Sequence, residues 1–323
     1  MVSQHSLKLL LRTGIALGIL ILLFRFIPVS DVLAALLFIS IPYLVLGLAI
    51  VLIKHFLTAY QMRLLINHQG ISLNTYQVFQ INMLTQFYSL FLPGDLAGGA
   101  IRWYHFSRPN KKRAEAVAAI GLNRFLETLM IISLGILFWL LDRQARIEQS
   151  AFQALSFIFL FLIGMYLLFF SRAFHRYLIR LCEVRHLPSF LSEKIIKVLR
   201  AFEQYAEAGA AFHFGILSIC FFRQIIGISG LLAFAIGLGL SVDFINLGWI
   251  RSATSIVLMF PISISGIGVR EATFVHLLGS CGISPEKALA FSLVVFAQRL
   301  VYAFTGGWFE FKRRLVLNAG ARG

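Results

Sequence analysis

The chain has 323 residues, of which 59% are hydrophobic and 13% charged, against roughly a quarter charged in soluble domains. No stretch is polar enough to form a water-soluble domain, so one integral membrane domain spanning residues 1–323 is expected. A net charge of +15 can signal nucleic acid, but here Lys and Arg lie between apolar runs and form no continuous basic face. They read as positive-inside topology signals, and a nucleic-acid partner is not expected. Cys182, Cys220 and Cys281 are isolated and odd in number, which gives neither a disulfide framework nor a metal motif.

Crossing a bilayer takes about 20 apolar residues. The first segment, 9–27, follows Lys8 and lacks a small-x-small cleavage site, so it reads as a retained span rather than a signal peptide. Further spans are expected at about 33–53, 114–141, 151–171, 209–240 and 286–311. The connector Pro28–Asp31 has no Lys or Arg, whereas Lys54 and Arg63 follow the second span, so the N-terminus is placed in the cytoplasm. Two apolar stretches are interrupted, at 76–102 and 250–280. Basic residues at Arg102, Arg108 and Lys111–Arg113 make both ends of the first cytoplasmic, so it enters the membrane and returns.

After the span at 151–171 comes a basic cytoplasmic loop, 172–207. Leu191, Ile195, Leu199 and Phe202 recur in it at helical spacing, which suits a helix lying on the membrane surface or packed beneath the bundle. The span at 209–240 carries Arg223 and Gln224 near its middle and reads as one helix or as two shorter ones. The second interrupted stretch then dips in from the outer face. Ser284, Pro285 and Glu286 form a good helix start for the last span, and Lys312–Arg314 put the C-terminus in the cytoplasm.

The interrupted stretches share a pattern. Phe91-Leu92-Pro93 leads through Gly98 to Arg102, and Met259-Phe260-Pro261 leads through Gly266 to Arg270, in each case Pro-x4-Gly-x3-Arg. Proline removes a backbone donor and glycine permits backbone angles that other residues resist, so each motif breaks one helix and starts another. Three intact spans separate the copies, which makes their orientations opposite, the pattern of an inverted-topology repeat. The fold expected is therefore an all-α polytopic membrane protein. About six full transmembrane helices are joined by two oppositely oriented broken segments, with repeat halves at about 33–141 and 209–311.

A charge at the bilayer centre costs roughly 2.5–3.5 kcal/mol on insertion scales, so one kept there faces a partner or a polar interior. Arg102 and Arg270 follow glycine-rich breaks, where helix N-termini offer N–H groups and a positive dipole end. With Gly98, Gly99, Gly266 and Gly268 they suit an anion, and phosphate best, because arginine grips it bidentately. Asp95 and Glu271 either carry a coupling proton or neutralise these arginines. The cluster Asn123, Arg124 and Glu127 and the group Gln298, Arg299 and Tyr302 are helix clamps or substrate contacts. Arg251 reads as an interfacial anchor. No nucleotide loop, HExxH or nucleophile elbow is present, so no catalytic residue, cofactor or metal is expected and the chain is not read as an enzyme.

Leu92–Arg102, Phe260–Ala272, Asn123–Glu127 and Gly282–Ala288 resemble the signature stretches of the lysylphosphatidylglycerol synthetase transmembrane-region family, the flippase-like proteins, and the likeness runs over essentially the whole chain. Two departures stand out. Ala100 occupies the place after the paired glycines where relatives more often carry an acidic residue, and no aminoacyl-transferase domain follows before Gly323, so lysyl transfer is not expected.

The resemblance implies a lipid flippase in the bacterial cytoplasmic (inner) membrane, moving an anionic phospholipid or a polyprenyl-phosphate-linked lipid between leaflets. The alternative is a non-transporting scaffold that binds lipid in an envelope-lipid or glycan pathway. Either can act as a homo-oligomer or beside an envelope-biosynthesis partner.

Overall fold

A computed structural model describes residues 27–91, 95–108, 111–142, 149–169, 171–184, 189–260 and 263–320, with Gly18, Leu23 and Arg25 ahead of them. The segment 9–27 expected as the first span thus lies almost wholly outside the described residues. Those described are helical, with no strand among them: α1 Val29–Leu37, α2 Ile41–His68, α3 Thr75–Phe91, α4 Asp95–Ser107, α5 Arg113–Leu141, α6 Gln149–Phe169, α7 Arg172–Val184, α8 Ser189–Glu207, α9 Ala210–Gly237, α10 Phe244–Met259, α11 Val269–Ser280 and α12 Pro285–Gly320. Helices satisfy their own backbone, which is what hydrocarbon demands. Four of them, Ile41–His68, Arg113–Leu141, Ala210–Gly237 and Pro285–Lys312, are long and apolar enough to cross a membrane. Val45, Leu46, Ile53 and Phe56 of α2 are exposed on its outer face, which suits lipid and not water.

Local sequence sets the helix starts. Asn74 and Gln77 cap α3 reciprocally, each side-chain oxygen accepting the other's backbone N–H at 2.8 and 2.9 Å. Asp243 accepts from Asn246 N–H at 2.7 Å and caps α10. The last helix begins at Pro285 with Glu286 in its first turn, as the sequence predicts.

Two expected boundaries move. The span placed at 33–53 is instead two helices broken at Phe38–Ser40, and the long one runs on from Ile41 to His68. Pro42 suits its first turn, and Ser40 N–H bonds the Gly237 carbonyl at 2.8 Å, which pins the break. The helix carries Lys54 and Arg63 within it because each side chain finds a polar setting, Arg63 on the Thr75 hydroxyl at 3.3 Å and Lys54 on an internal cavity. The stretch at 209–240 is a single helix, α9. Arg223 is 1% exposed and meets Glu127 at 3.5 Å, so a side-chain partner rather than a turn accommodates it.

Of the two settings considered for the amphipathic helix at 189–207, the bundle wins. Ala201 and Tyr205 of α8 are buried, Gln69 Nε2 donates to the Ala201 carbonyl at 2.7 Å, and the Tyr205 hydroxyl donates to the Leu65 carbonyl at 2.9 Å. It closes one end of α2 and α5.

Three helix pairs hold the bundle: α2 with α9, α3 with α12, and α5 with α10. Each pairs through glycine, which lets backbones approach closely. A Cβ on Gly230 would lie 2.8 Å from Val51, and one on Gly135 would lie 2.7 Å from Ser252. At Gly306 it would overlap the Met83 carbonyl on α3. Gly306→Ala is therefore expected to cost about 1–3 kcal/mol through overpacking, read as a lowered melting temperature of the purified protein in detergent. Gly164→Ala, with nothing within 4 Å of its Cβ, should leave that temperature unchanged, and equal behaviour of the two variants would refute the close approach.

Candidate functional site

The second motif is a loop held by side chains. Leaving α10 at Met259, the chain passes through a short 3-10 turn, Ile264–Gly266, before starting α11 at Val269. Ser265 has φ 55°, Gly266 φ 75° and Gly268 φ 83°, left-handed angles that glycine adopts at least cost. Ser265 is kept there by contacts on both sides. Its hydroxyl donates to the Ser89 carbonyl at 2.9 Å, and its carbonyl accepts from Arg299 Nη1 at 3.1 Å. Ser89 lies in the last turn of α3, so the end of that helix touches the loop, while Leu92–Gly94 of the first motif lie outside the described residues.

Arg270 and Glu271 are 4% and 2% exposed and paired to each other. Glu271 Oε1 accepts from Arg270 Nε at 3.1 Å and lies 3.4 Å from the Ser292 hydroxyl, while Oε2 accepts from Gly268 N–H at 2.6 Å. Arg270 also lies over the Phe296 ring, 4.5 Å from its centroid. Glu271 therefore neutralises the arginine and caps α11 at once. One of the N–H groups at the α11 N-terminus, that of Gly268, is thereby satisfied internally.

Arg270 faces a cavity of about 360 Å³ in the middle of the bundle. Lys54 of α2, Arg124 and Glu127 of α5, Arg251 of α10 and Arg299 of α12 share its wall, with Gly266 of the loop. Among the described residues, five basic side chains thus meet a single lining carboxylate. Arg251 Nη1 donates to the Gln224 carbonyl at 3.1 Å and packs where Gly227 has no side chain, 2.9 Å from the position of a Cβ. It is part of the cavity wall, not the interfacial anchor that its position in the sequence suggests.

Arg102 does not join Arg270 there. It lines a second cavity of about 590 Å³ with Gly98, Gly99, Ala100, Trp103 and Val117, and the two cavities share Ser89, Arg124 and Arg299. Gly98 is buried against α3, where a Cβ would lie 2.8 Å from Ser89 Oγ, while Gly99 has nothing within 4 Å. Ala100 and Val117 in its lining are exposed, so this cavity reaches the surface beside α4 and α5. Asp95 is the first residue of α4 and its side chain lies outside the described residues.

Each polar cluster read from the sequence divides in two. Asn123 accepts from Gln61 Nε2 at 3.0 Å as a buried helix clamp, whereas Arg124 and Glu127 face the cavity. The Tyr302 hydroxyl bonds the Leu48 carbonyl, whereas Gln298 and Arg299 face the cavity. Lys54, Arg223 and Arg251 were not singled out as site residues. Pro42 held the missing signal, since starting the second span there puts Lys54 well inside it.

The lysylphosphatidylglycerol synthase TM region family matches residues 9–307. The chain belongs to this family. It is accordingly a membrane protein of a lipid-related family, and the match spans both motifs and every side chain named in the two cavities. No curated protein and no solved structure matches the chain.

Removing one partner of a buried ion pair costs about 3–5 kcal/mol, because the other charge stays buried. Glu271→Ala should therefore lower the melting temperature and yield sharply. The double variant Arg270→Met, Glu271→Gln removes the charge and keeps an acceptor for Gly268 N–H, so it should recover most of the loss. A double variant as unstable as the single would refute the pairing account.

Proposed function

We propose that this protein moves a lipid with an anionic headgroup, an anionic phospholipid or a polyprenyl-phosphate-linked lipid, between the leaflets of the bacterial cytoplasmic membrane, without covalent chemistry. The observation that carries this reading is the wall of the central cavity, where Lys54, Arg124, Arg251, Arg270 and Arg299 face inward with Glu127, the one lining carboxylate among the described residues. Positive charge gathered inside apolar helices is costly unless it faces a polar interior or a partner. A polar interior lined in this way suits an anionic headgroup.

The second cavity suits the lipid's route. It reaches the surface where Ala100 and Val117 are exposed and meets the first at Ser89, Arg124 and Arg299. Gly99 leaves room for an acyl or prenyl chain to remain in the bilayer while its headgroup passes inward. Arg102, at this entrance, meets the headgroup first.

An inverted repeat would give such a path from both faces. In that arrangement α2 to α5 correspond to α9 to α12, and both termini are cytoplasmic. The pairing of helices supports it: the leading helices α2 and α9 pack on each other, while α3 packs on α12 and α5 on α10, an exchange of partners that a two-fold axis between the halves produces.

The test is leaflet exchange of fluorescent phosphatidylglycerol in proteoliposomes, read by dithionite quenching. The wild type is expected to exchange the lipid, and Lys54→Met with Arg251→Met to slow it at least ten-fold. Gly99→Trp, which fills the side opening, should slow it comparably while the protein remains folded. Protein that binds lipid but never exchanges it would instead make this a scaffold.

A further inference from the structure

The face of α10 that lines the central cavity holds a hydroxyl in an uncommon setting. Serine and threonine inside a helix commonly donate their hydroxyl to the carbonyl one turn back. On α10, Ser252 donates to the Gly248 carbonyl at 3.0 Å and Ser255 to the Arg251 carbonyl at 2.8 Å. Thr254, between them, does not. It is 4% exposed and lines the cavity, and its hydroxyl has no hydrogen-bond partner. Buried hydroxyls are normally satisfied, and one that is not lowers stability.

Two neighbours indicate what satisfies it. Ser263, on the loop that follows α10, lines the same cavity, and its hydroxyl is also buried without a partner. Arg251 stands one turn before Thr254, which puts both side chains on one face of the helix, and both line the cavity. Arg251 Nη1 holds the Gln224 carbonyl at 3.1 Å, which takes one of the five N–H donors of a guanidinium. A group that accepts from two hydroxyls and a guanidinium together is a phosphate, whose oxygens lie in several directions and which arginine grips with parallel bonds.

We propose that Thr254 and Ser263 form a phosphate site on the α10 side of the cavity, donating their hydroxyls to the headgroup phosphate while Arg251 grips it. This rests on the lipid reading above and adds to it the residues that fix the phosphate. Thr254 then exchanges stability for binding. With no phosphate bound its hydroxyl is a liability, and with phosphate bound it makes a charge-assisted hydrogen bond. That exchange separates the role from a structural one, in which the hydroxyl would stabilise the protein whether phosphate is bound or not.

The test is thermal unfolding of the full-length protein in detergent, alone and with inorganic phosphate or short-chain phosphatidylglycerol. Thr254→Val keeps the shape and removes the hydroxyl. It is expected to raise the melting temperature by a few degrees when no phosphate is added, and to need about ten-fold more of either probe for a given stabilisation. Thr254→Ser should respond as the wild type does, and Ser263→Ala should weaken the response to both probes. A Thr254→Val variant that unfolds earlier than the wild type, or that responds to the probes as the wild type does, overturns the proposal. So does a wild type that neither probe stabilises. A response to one probe only, lost in Thr254→Val, upholds the site and identifies the source of its phosphate; if that probe is inorganic phosphate, the lipid reading falls. In proteoliposomes, phosphatidylglycerol should exchange about ten-fold more slowly through Thr254→Val. Wild-type exchange in that variant overturns the Thr254 contact and leaves the exchange reading standing.

Discussion

Hydrocarbon offers no hydrogen bonds, so a broken helix inside a membrane protein has to be satisfied by the protein itself. The loop from Ser263 to Gly268 meets that demand with few groups. Glu271 receives the Gly268 N–H and the Arg270 guanidinium, the Ser265 hydroxyl reaches the Ser89 carbonyl, and Arg299 takes the Ser265 carbonyl. The loop forms one wall of the central cavity through Ser263, Ser265 and Gly266. The same contacts explain why a charged pair survives where apolar packing would be cheaper: Glu271 holds the Gly268 N–H and the Arg270 guanidinium at once.

Much of this was legible in the residues. Apolar length and breaker residues located the long helices, and Pro285 with Glu286 marked the start of the last. The second Pro-x4-Gly-x3-Arg stretch pointed to the loop before α11, whereas Leu92–Gly94 of the first lie outside the described residues. What a one-dimensional reading misses is direction. Arg102 and Arg270 occupy equivalent places in the motif, yet they line different cavities, because Arg102 lies in the middle of α4 and Arg270 in the first turn of α11, buried against Phe296 and Glu271. Lys54 looked like a loop charge because it ends an apolar run. A helix does not stop for one charge when a polar cavity takes the side chain.

The division of labour among polar side chains follows from helix geometry. Asn123 and Arg124 are adjacent and so point about 100° apart, one to Gln61 on α2 and the other to the cavity. Neighbours in sequence thus do unrelated work, clamping on one side and facing a polar interior on the other. Glycine plays the complementary part. At Gly135, Gly230 and Gly306 it draws helices together, while at Gly99 it keeps space open.

The bond between the Ser265 hydroxyl and the Ser89 carbonyl spans 176 residues of chain. It joins the last turn of α3 to the loop that precedes α11. Because the acceptor is a backbone carbonyl, the bond depends on where the helix ends and not on which side chain stands at position 89.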